Sequence, residues 1–324
     1  MSLDCTNAPP TTPTDAGVAG AGVLLAFIIT AAIALILSTY IILGEFRSAG
    51  PITPKIISRK LLGSFSDQQI IEGIGIQAVG LAKMNSMVPY HFFVVWMLAL
   101  LSTATHLATL LALVQDYKRD WVLRWLRQGF MFVNLGLNVL CGVFVLQSVV
   151  KNMSPTLPIG CVLQARVDGV EQIRDNKVIS VVGTIAVIAV TVITFVLATW
   201  YLHMRRQTWG KVVRTVGVVL LMAMAIGAAV RVVMVSSAFG GGQGVKLSGS
   251  SESSWSFGQL LALLILILPF ISALEIFRGE IGVSAEQLSD DQQPLNGSEL
   301  KPLDSRYYYQ PNPFAGGTTK AFRR

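Results

Sequence analysis

The feature that most constrains this chain is how its apolar residues are distributed. They lie in long runs, separated by short charged stretches. Roughly 20 apolar helical residues are needed to cross a ~30 Å hydrocarbon core. A helix that is apolar on every side has no face to turn toward water. Composition agrees, with 52% hydrophobic and 13% charged residues, where a soluble domain carries about 25% charged. The sequence therefore predicts an all-α membrane protein, a seven-transmembrane helix bundle.

The expected spans are 17–43, 68–83, 88–113, 129–150, 178–202, 212–239 and 257–277. The second is the weakest, being short and carrying Gln68, Gln69, Glu72 and Gln77. Six spans, with this segment re-entrant or interfacial, is the alternative. Residues 1–16 are polar and read as an exterior tail. They lack a basic n-region, and the apolar run that follows exceeds a signal-peptide core, so it reads as a membrane helix rather than a cleaved signal. Residues 278–324 are polar and read as a cytoplasmic tail, largely disordered.

Orientation follows from Lys and Arg in the loops. Arg47, Lys55, Arg59 and Lys60 lie in the first; Lys118, Arg119, Arg124 and Arg127 in the third; Arg205, Arg206, Lys211 and Arg214 in the fifth. The other side carries Lys83, Lys151, Arg166, Arg174, Lys177 and Lys246. Twelve against six puts the odd loops and the C-terminus in the cytoplasm and the N-terminus outside. Trp121 and Trp125 fit interfacial anchors in the third loop. The basic loops face anionic lipid on the inner leaflet, so membrane lipid is the first expected partner. The net charge of +7 is placed by topology, and nucleic acid is not an expected partner.

Two exterior loops have character. Asp168-Gly169 predicts a hairpin turn in the fourth. The sixth, 240–254, is rich in Gly and Ser and reads as flexible. In the tail, Asn312-Pro313-Phe314 is a weak endocytic motif through which cytosolic proteins could be recruited.

Polar residues at membrane depth are functional candidates by default. Ser66-Asp67-Gln68-Gln69 has the S-x-x-Q spacing of a capping box and reads as a helix cap opening the second span. Glu72, one and a half turns on, shares an expected depth with His106 of the third span. Asn134 and Asn138 share a face of the fourth, and Ser102 flanks His106. Together they predict a polar cluster in the cytoplasmic half of the second to fourth helices. The plainer reading is interhelical hydrogen-bond glue; the sharper is a ligand or proton site. Arg231 and Glu275 fall at opposite ends of their helices and read as snorkelling side chains. Pro269 predicts a kink in the seventh helix. Glycines at 17, 20 and 22, and at 73, 75 and 80, predict close packing.

Cys5 and Cys161 both fall outside, where a disulfide could join them; Cys141 lies in the fourth helix and reads as packing. No CxxC pair or Cys/His cluster is present, and the only histidines are His91, His106 and His203. Neither a metal site nor a cofactor is expected.

Ser66-Asp67-Gln68-Gln69 with Gly73-Ile74 resembles the SDQQ…GI signature of a set of uncharacterised fungal polytopic membrane proteins. Tyr90-His91, then Leu101-Ser102 and Thr105-His106-Leu107-Ala108-Thr109-Leu110, resembles the YH…LS..THL.TL third helix of the same family. Cys5 and Asp15-Ala16-Gly17-Val18-Ala19-Gly20 resemble its exterior cysteine and its approach to helix one. The likeness covers residues 5–150; beyond them it is one of hydropathy. Glu72 departs from the small or hydroxyl residue expected there. The resemblance implies a fungal source and seven helices but no activity. It also implies an accessory role near secondary-metabolite biosynthesis, by association alone.

A receptor-like or sensor protein is the first functional expectation. Helix three ends in Gln115-Asp116-Tyr117-Lys118-Arg119, which is not the Asp/Glu-Arg-Tyr of G-protein-coupled receptors, and helix seven lacks their NPxxY. Helix seven has no lysine, which excludes a retinal Schiff base. A small-molecule transporter or exporter is the alternative, and an accessory membrane protein a further one. An intramembrane enzyme needs a clustered nucleophile and base. Glu72 with His106 is the only candidate pair and lacks a nucleophile, so no enzymatic activity is expected.

Overall fold

A computed structural model describes residues 5–47, 52–119, 121–164, 175–203, 210–241, 247–248 and 252–280. The elements run β1 (Thr12–Pro13), α1 (Ala16–Ala19), α2 (Ala21–Arg47), α3 (Ile52–Ala82), α4 (Pro89–Ala112), α5 (Val114–Arg119) and α6 (Trp121–Val150). After a 3-10 turn (Ile159–Leu163) come α7 (Asp175–His203), α8 (Gly210–Val235), a second 3-10 turn (Ser237–Phe239), β2 (Leu247–Ser248), α9 (Phe257–Ile265) and α10 (Leu268–Glu280). Six stretches are long and apolar enough to cross a membrane: Ala16–Glu45, Pro89–Ala112, Arg124–Val150, Val178–His203, Val212–Val235 and Phe257–Leu274.

Packing explains why the helices are apolar all round. Ile36, Phe132, Ile179 and Met234, on four different helices, are each 65–70% exposed. A water-soluble monomer does not carry so much contiguous apolar surface. Helix α4 is the opposite case: its apolar window is wholly buried, and α2, α3, α6, α7 and α8 all pack around it. It starts cleanly because Pro89 stands at its first turn, where a missing N–H costs nothing.

Both ends of the bundle can be recognised by their contacts. At one, which we call the disulfide end, Cys5 is joined to Cys161 with Cα atoms 5.6 Å apart. There Lys83 Nζ lies 2.8 Å from Asp15 Oδ2, and β1 pairs in parallel with β2, Thr12 opposite Leu247. The turn at Ile159 docks on the α3–α4 connection, its Ile159 and Gly160 N–H groups donating to the Met87 and Met84 carbonyls at 2.8 Å. At the other, basic end, Arg59 grips Asp116 through two 2.9 Å bonds, Arg127 pairs with Asp67, and Trp125 lies against His203.

Several expectations need correction. The second segment is not a short helix beginning near Gln68: α3 starts at Ile52, runs 31 residues and ends beside Lys83. Ser66, Asp67, Gln68 and Gln69 are therefore interior helical residues and cap nothing, because the backbone N–H groups there already have partners one turn back. The Ser66 hydroxyl and the Gln69 amide are buried without a hydrogen-bond partner. Arg124, Trp125 and Arg127 belong to the first turns of α6 rather than to a loop. The first span is broken at Gly20, whose ψ of 144° is extended, and the seventh at Leu266–Ile267. In the latter, Pro269 cannot donate to the Ile265 carbonyl, and bonds of turn type, Ile267 N–H to Leu264 and Phe270 N–H to Ile267, replace the helical ladder. The Asp168-Gly169 turn, the Glu275 side chain and the tail with Asn312, Pro313 and Phe314 lie outside the described residues.

Candidate functional site

The expected polar cluster forms in part, around α3, α4 and α6. Gln77 Nε2 donates to Asn134 Oδ1 at 2.8 Å, and Asn134 Nδ2 to Thr103 Oγ1 at 3.1 Å. Ser102 Oγ donates to the Gln69 carbonyl at 2.6 Å. A glycine makes this approach possible. A Cβ built on Gly73 would lie 2.2 Å from Ser102 Oγ and 2.9 Å from Asn134 Oδ1. These bonds tie three helices together through polar atoms with no water to compete, as hydrogen-bonded glue does.

Ser102 and Asn134 thus meet, while Glu72, His106 and Asn138 do not join them. Glu72 turns toward α2 and α9, where it lines a hollow of about 250 Å³ with Phe27 and Leu261, and accepts from Gln68 Nε2 at 2.8 Å. Glu72 faces away because it lies about a quarter-turn around α3 from the Gln69–Gly73 face that meets Ser102. Asn138 is buried with no partner for either amide atom, and His106 is buried against its own helix, its ring by the Ser102 carbonyl one turn back. No hydrogen bond or ion pair links Glu72 to His106 among the described residues.

The densest polar constellation lies elsewhere, at the disulfide end. Glu252 belongs to the stretch expected to be flexible, yet it is 1% exposed. His91 Nε2 lies 2.6 Å from Glu252 Oε1, and Tyr90 Oη donates to Oε2 at 2.8 Å. Ser237 Oγ also meets Oε2, and the Ser237 N–H donates to Tyr90 Oη at 2.9 Å. Burial alone pushes the Glu252 carboxyl up, but the hydrogen bonds from His91, Ser237 and Tyr90 outweigh it and hold the group below the ordinary carboxylate value. One acid thus clasps the first turn of α4 to the segment after α8. We call this the Glu252 clasp.

Gln259 extends the clasp to α2. Its Oε1 accepts from the Gly22 N–H at 3.2 Å, satisfying a donor in the first turn of α2 that has no helical partner, and its Nε2 donates to the Ser254 carbonyl at 3.0 Å. A Cβ on Gly20 or Gly22 would collide with this side chain at 2.3–2.6 Å, so those glycines do serve close approach. Neither Glu252 nor Gln259 was singled out from the sequence. The one available signal was that Glu252 is the only acid in 240–254.

At the basic end, Arg214 of α8 closes the other terminus of α4. Its Nε donates to the Leu111 carbonyl at 2.8 Å and its Nη2 to the Ala112 carbonyl at 3.1 Å, while Nη1 pairs with Glu45 of α2. A guanidinium there satisfies orphan carbonyls and opposes the negative end of the helix dipole. Among the described residues, no three His, Cys, Asp or Glu side chains gather as a metal site would require. No family model, no curated relative and no solved structure matches the chain.

Proposed function

We propose that the chain is a non-enzymatic, receptor-like membrane protein of seven crossings, with the disulfide end outside and the basic end in the cytoplasm. The carrying observation is that α4, buried along its apolar length, is gripped at both ends: at the disulfide end through Tyr90 and His91 by Glu252, at the basic end through its terminal carbonyls by Arg214. A helix held this way transmits a displacement at one end to the other, because a packed core does not absorb it.

Seven crossings are supported by parity. The tail before α1, the α3–α4 connection, the α6–α7 turn and the segment after α8 all meet at the disulfide end. That supports α3 traversing as the others do. Its 31 residues are long enough, at about 1.5 Å each. The excess of Lys and Arg in the odd connections of the sequence supports the orientation. The resemblance to fungal polytopic proteins points the same way. Plasma membrane or endomembrane is the expected location.

The test uses Glu252→Gln, read with paired spin labels at the basic end on Asp116 and Arg59 flanking positions. The receptor reading expects the labels to shift in distance or spread when the clasp is weakened. Unchanged distances in a folded variant would sink it.

A transporter is the second reading, and it rests on the interruption of the seventh span at Leu266–Ile267 beside the hollow that holds Glu72. Broken helices line the sites of many transporters. Solute flux in proteoliposomes that is lost in Glu72→Gln would favour it over the receptor.

A further inference from the structure

A second hollow lies on the far side of α4 from Glu72, and nothing in the clasp uses it. A cavity of about 460 Å³ separates α7 from α8 and reaches the flank of α4, where Phe93, Trp96 and Leu100 form its floor. Its size is that of a small-molecule site.

Small residues normally let membrane helices close on one another. Here they do not. Gly183 of α7 and Gly227 of α8 both line the cavity, yet a Cβ built on either would meet nothing within 4 Å. These glycines make room instead of making contact.

The cavity is also graded along its length. Ser180 and Thr184 of α7 and Arg231 of α8 sit toward the disulfide end, whereas Leu100, Val190 and Leu220 sit toward the basic end. Arg231 has no ion-pair partner among the described residues. From Leu220 to Arg231 the helix rises about 16 Å. One cationic rim, with an apolar path leading away from it toward Leu100 and Leu220, matches an amphiphile with a single negative charge.

We propose that this cavity binds a single-chain amphiphile with a carboxylate head, the head on Arg231 and the chain lying over Trp96 toward Leu100. A guanidinium fork fits one carboxylate in two parallel bonds, and one positive charge balances one negative charge. A volume of about 460 Å³ is that of a small-molecule site and well below the bulk of a two-chain phospholipid, and a phosphate dianion would leave charge uncompensated. The site is separate from the Glu252 clasp, and the proposal stands or falls without it.

The experiment uses the full chain in nanodiscs of uncharged lipid, with bromine-labelled dodecanoate as the probe. Bromine in the chain should quench Trp96, so saturable quenching appears in the native protein and is lost in Trp96→Phe. Arg231→Gln should weaken dodecanoate binding about tenfold, and leave the equivalent brominated alcohol unaffected. Gly183→Leu and Gly227→Leu should fill the cavity and abolish saturable quenching. Circular dichroism and thermal unfolding establish that each variant is folded, and either leucine variant suffices. Quenching that is equal for the acid and the alcohol would overturn the carboxylate head. Equal quenching by brominated two-chain lipid of the disc itself would overturn the single-chain ligand and make the cavity a lipid groove. Quenching that survives both leucine variants would overturn the site.

Discussion

His91 and Glu252 are 161 residues apart in sequence and 2.6 Å apart in space, and the carboxylate they share with Tyr90 and Ser237 is buried. The sign of its pH dependence follows. The folded carboxyl lies below its ordinary value, because hydrogen bonds outweigh the burial that raises it. Its contribution is therefore complete above the unfolded pKa and is lost as pH falls through the folded one. Thermal unfolding in detergent should show stability dropping below about pH 4.5. Glu252→Gln should flatten that drop and cost about 1–3 kcal/mol at neutral pH. A variant with the native acid limb would exclude Glu252 as its source.

Arg214→Met should destabilise more than a surface substitution would. It leaves the Leu111 and Ala112 carbonyls and Glu45 without their donor, at a cost of about 2–4 kcal/mol. Glu45→Gln should cost less, because Glu45 is partly exposed and the two carbonyl bonds remain. Unfolding midpoints of the two variants, compared side by side, check the order.

Gly73→Ala should cost about 1–3 kcal/mol, since its new methyl would overlap Ser102 Oγ. Ser102→Gly removes both the hydroxyl and the Cβ that stand in the way. The double variant should then be more stable than the sum of the single costs implies, by about 1 kcal/mol. Additive losses would mean that the two helices do not touch there.

Reducing the Cys5–Cys161 bond should lower stability by about 2–4 kcal/mol, the range typical of a bridge closing a long loop. Cys5→Ser, Cys161→Ser and the double variant should behave alike in unfolding, because each removes the same link. Cys141→Ser should leave the non-reducing gel pattern unchanged, as Cys141 is a free buried thiol.

The apolar spans were readable because hydropathy measures the cost of moving a side chain out of water, and six stretches are apolar enough to show it. The start of α3 was not. Lys55, Arg59 and Lys60 look like a loop to any such scale, yet Arg59 sits on a helix and is neutralised by Asp116, 57 residues away. The S-x-x-Q spacing misled for a related reason: it is a cap only if the helix begins there, and this one does not. In the polar cluster, Ser102 and Asn134 could be named from the sequence, but Gln77 became the partner of Asn134 only through the register of α3 against α6. Glu252 was hidden in a run of Gly and Ser that carries no periodicity. Its partners lie at the start of α4 and the end of α8, and only tertiary packing brings them together.

The last consequence concerns the order of synthesis. The first turn of α2 is completed by Gln259, and Thr12 finds its strand partner at Leu247. A ribosome makes both partners more than two hundred residues after the segments they hold. Helix α2 therefore waits, with its disulfide end unfinished, until α3 to α8 have been made. Closure of that end is a late event in biogenesis, and a nascent chain halted before Gln259 leaves the Gly22 donor unanswered.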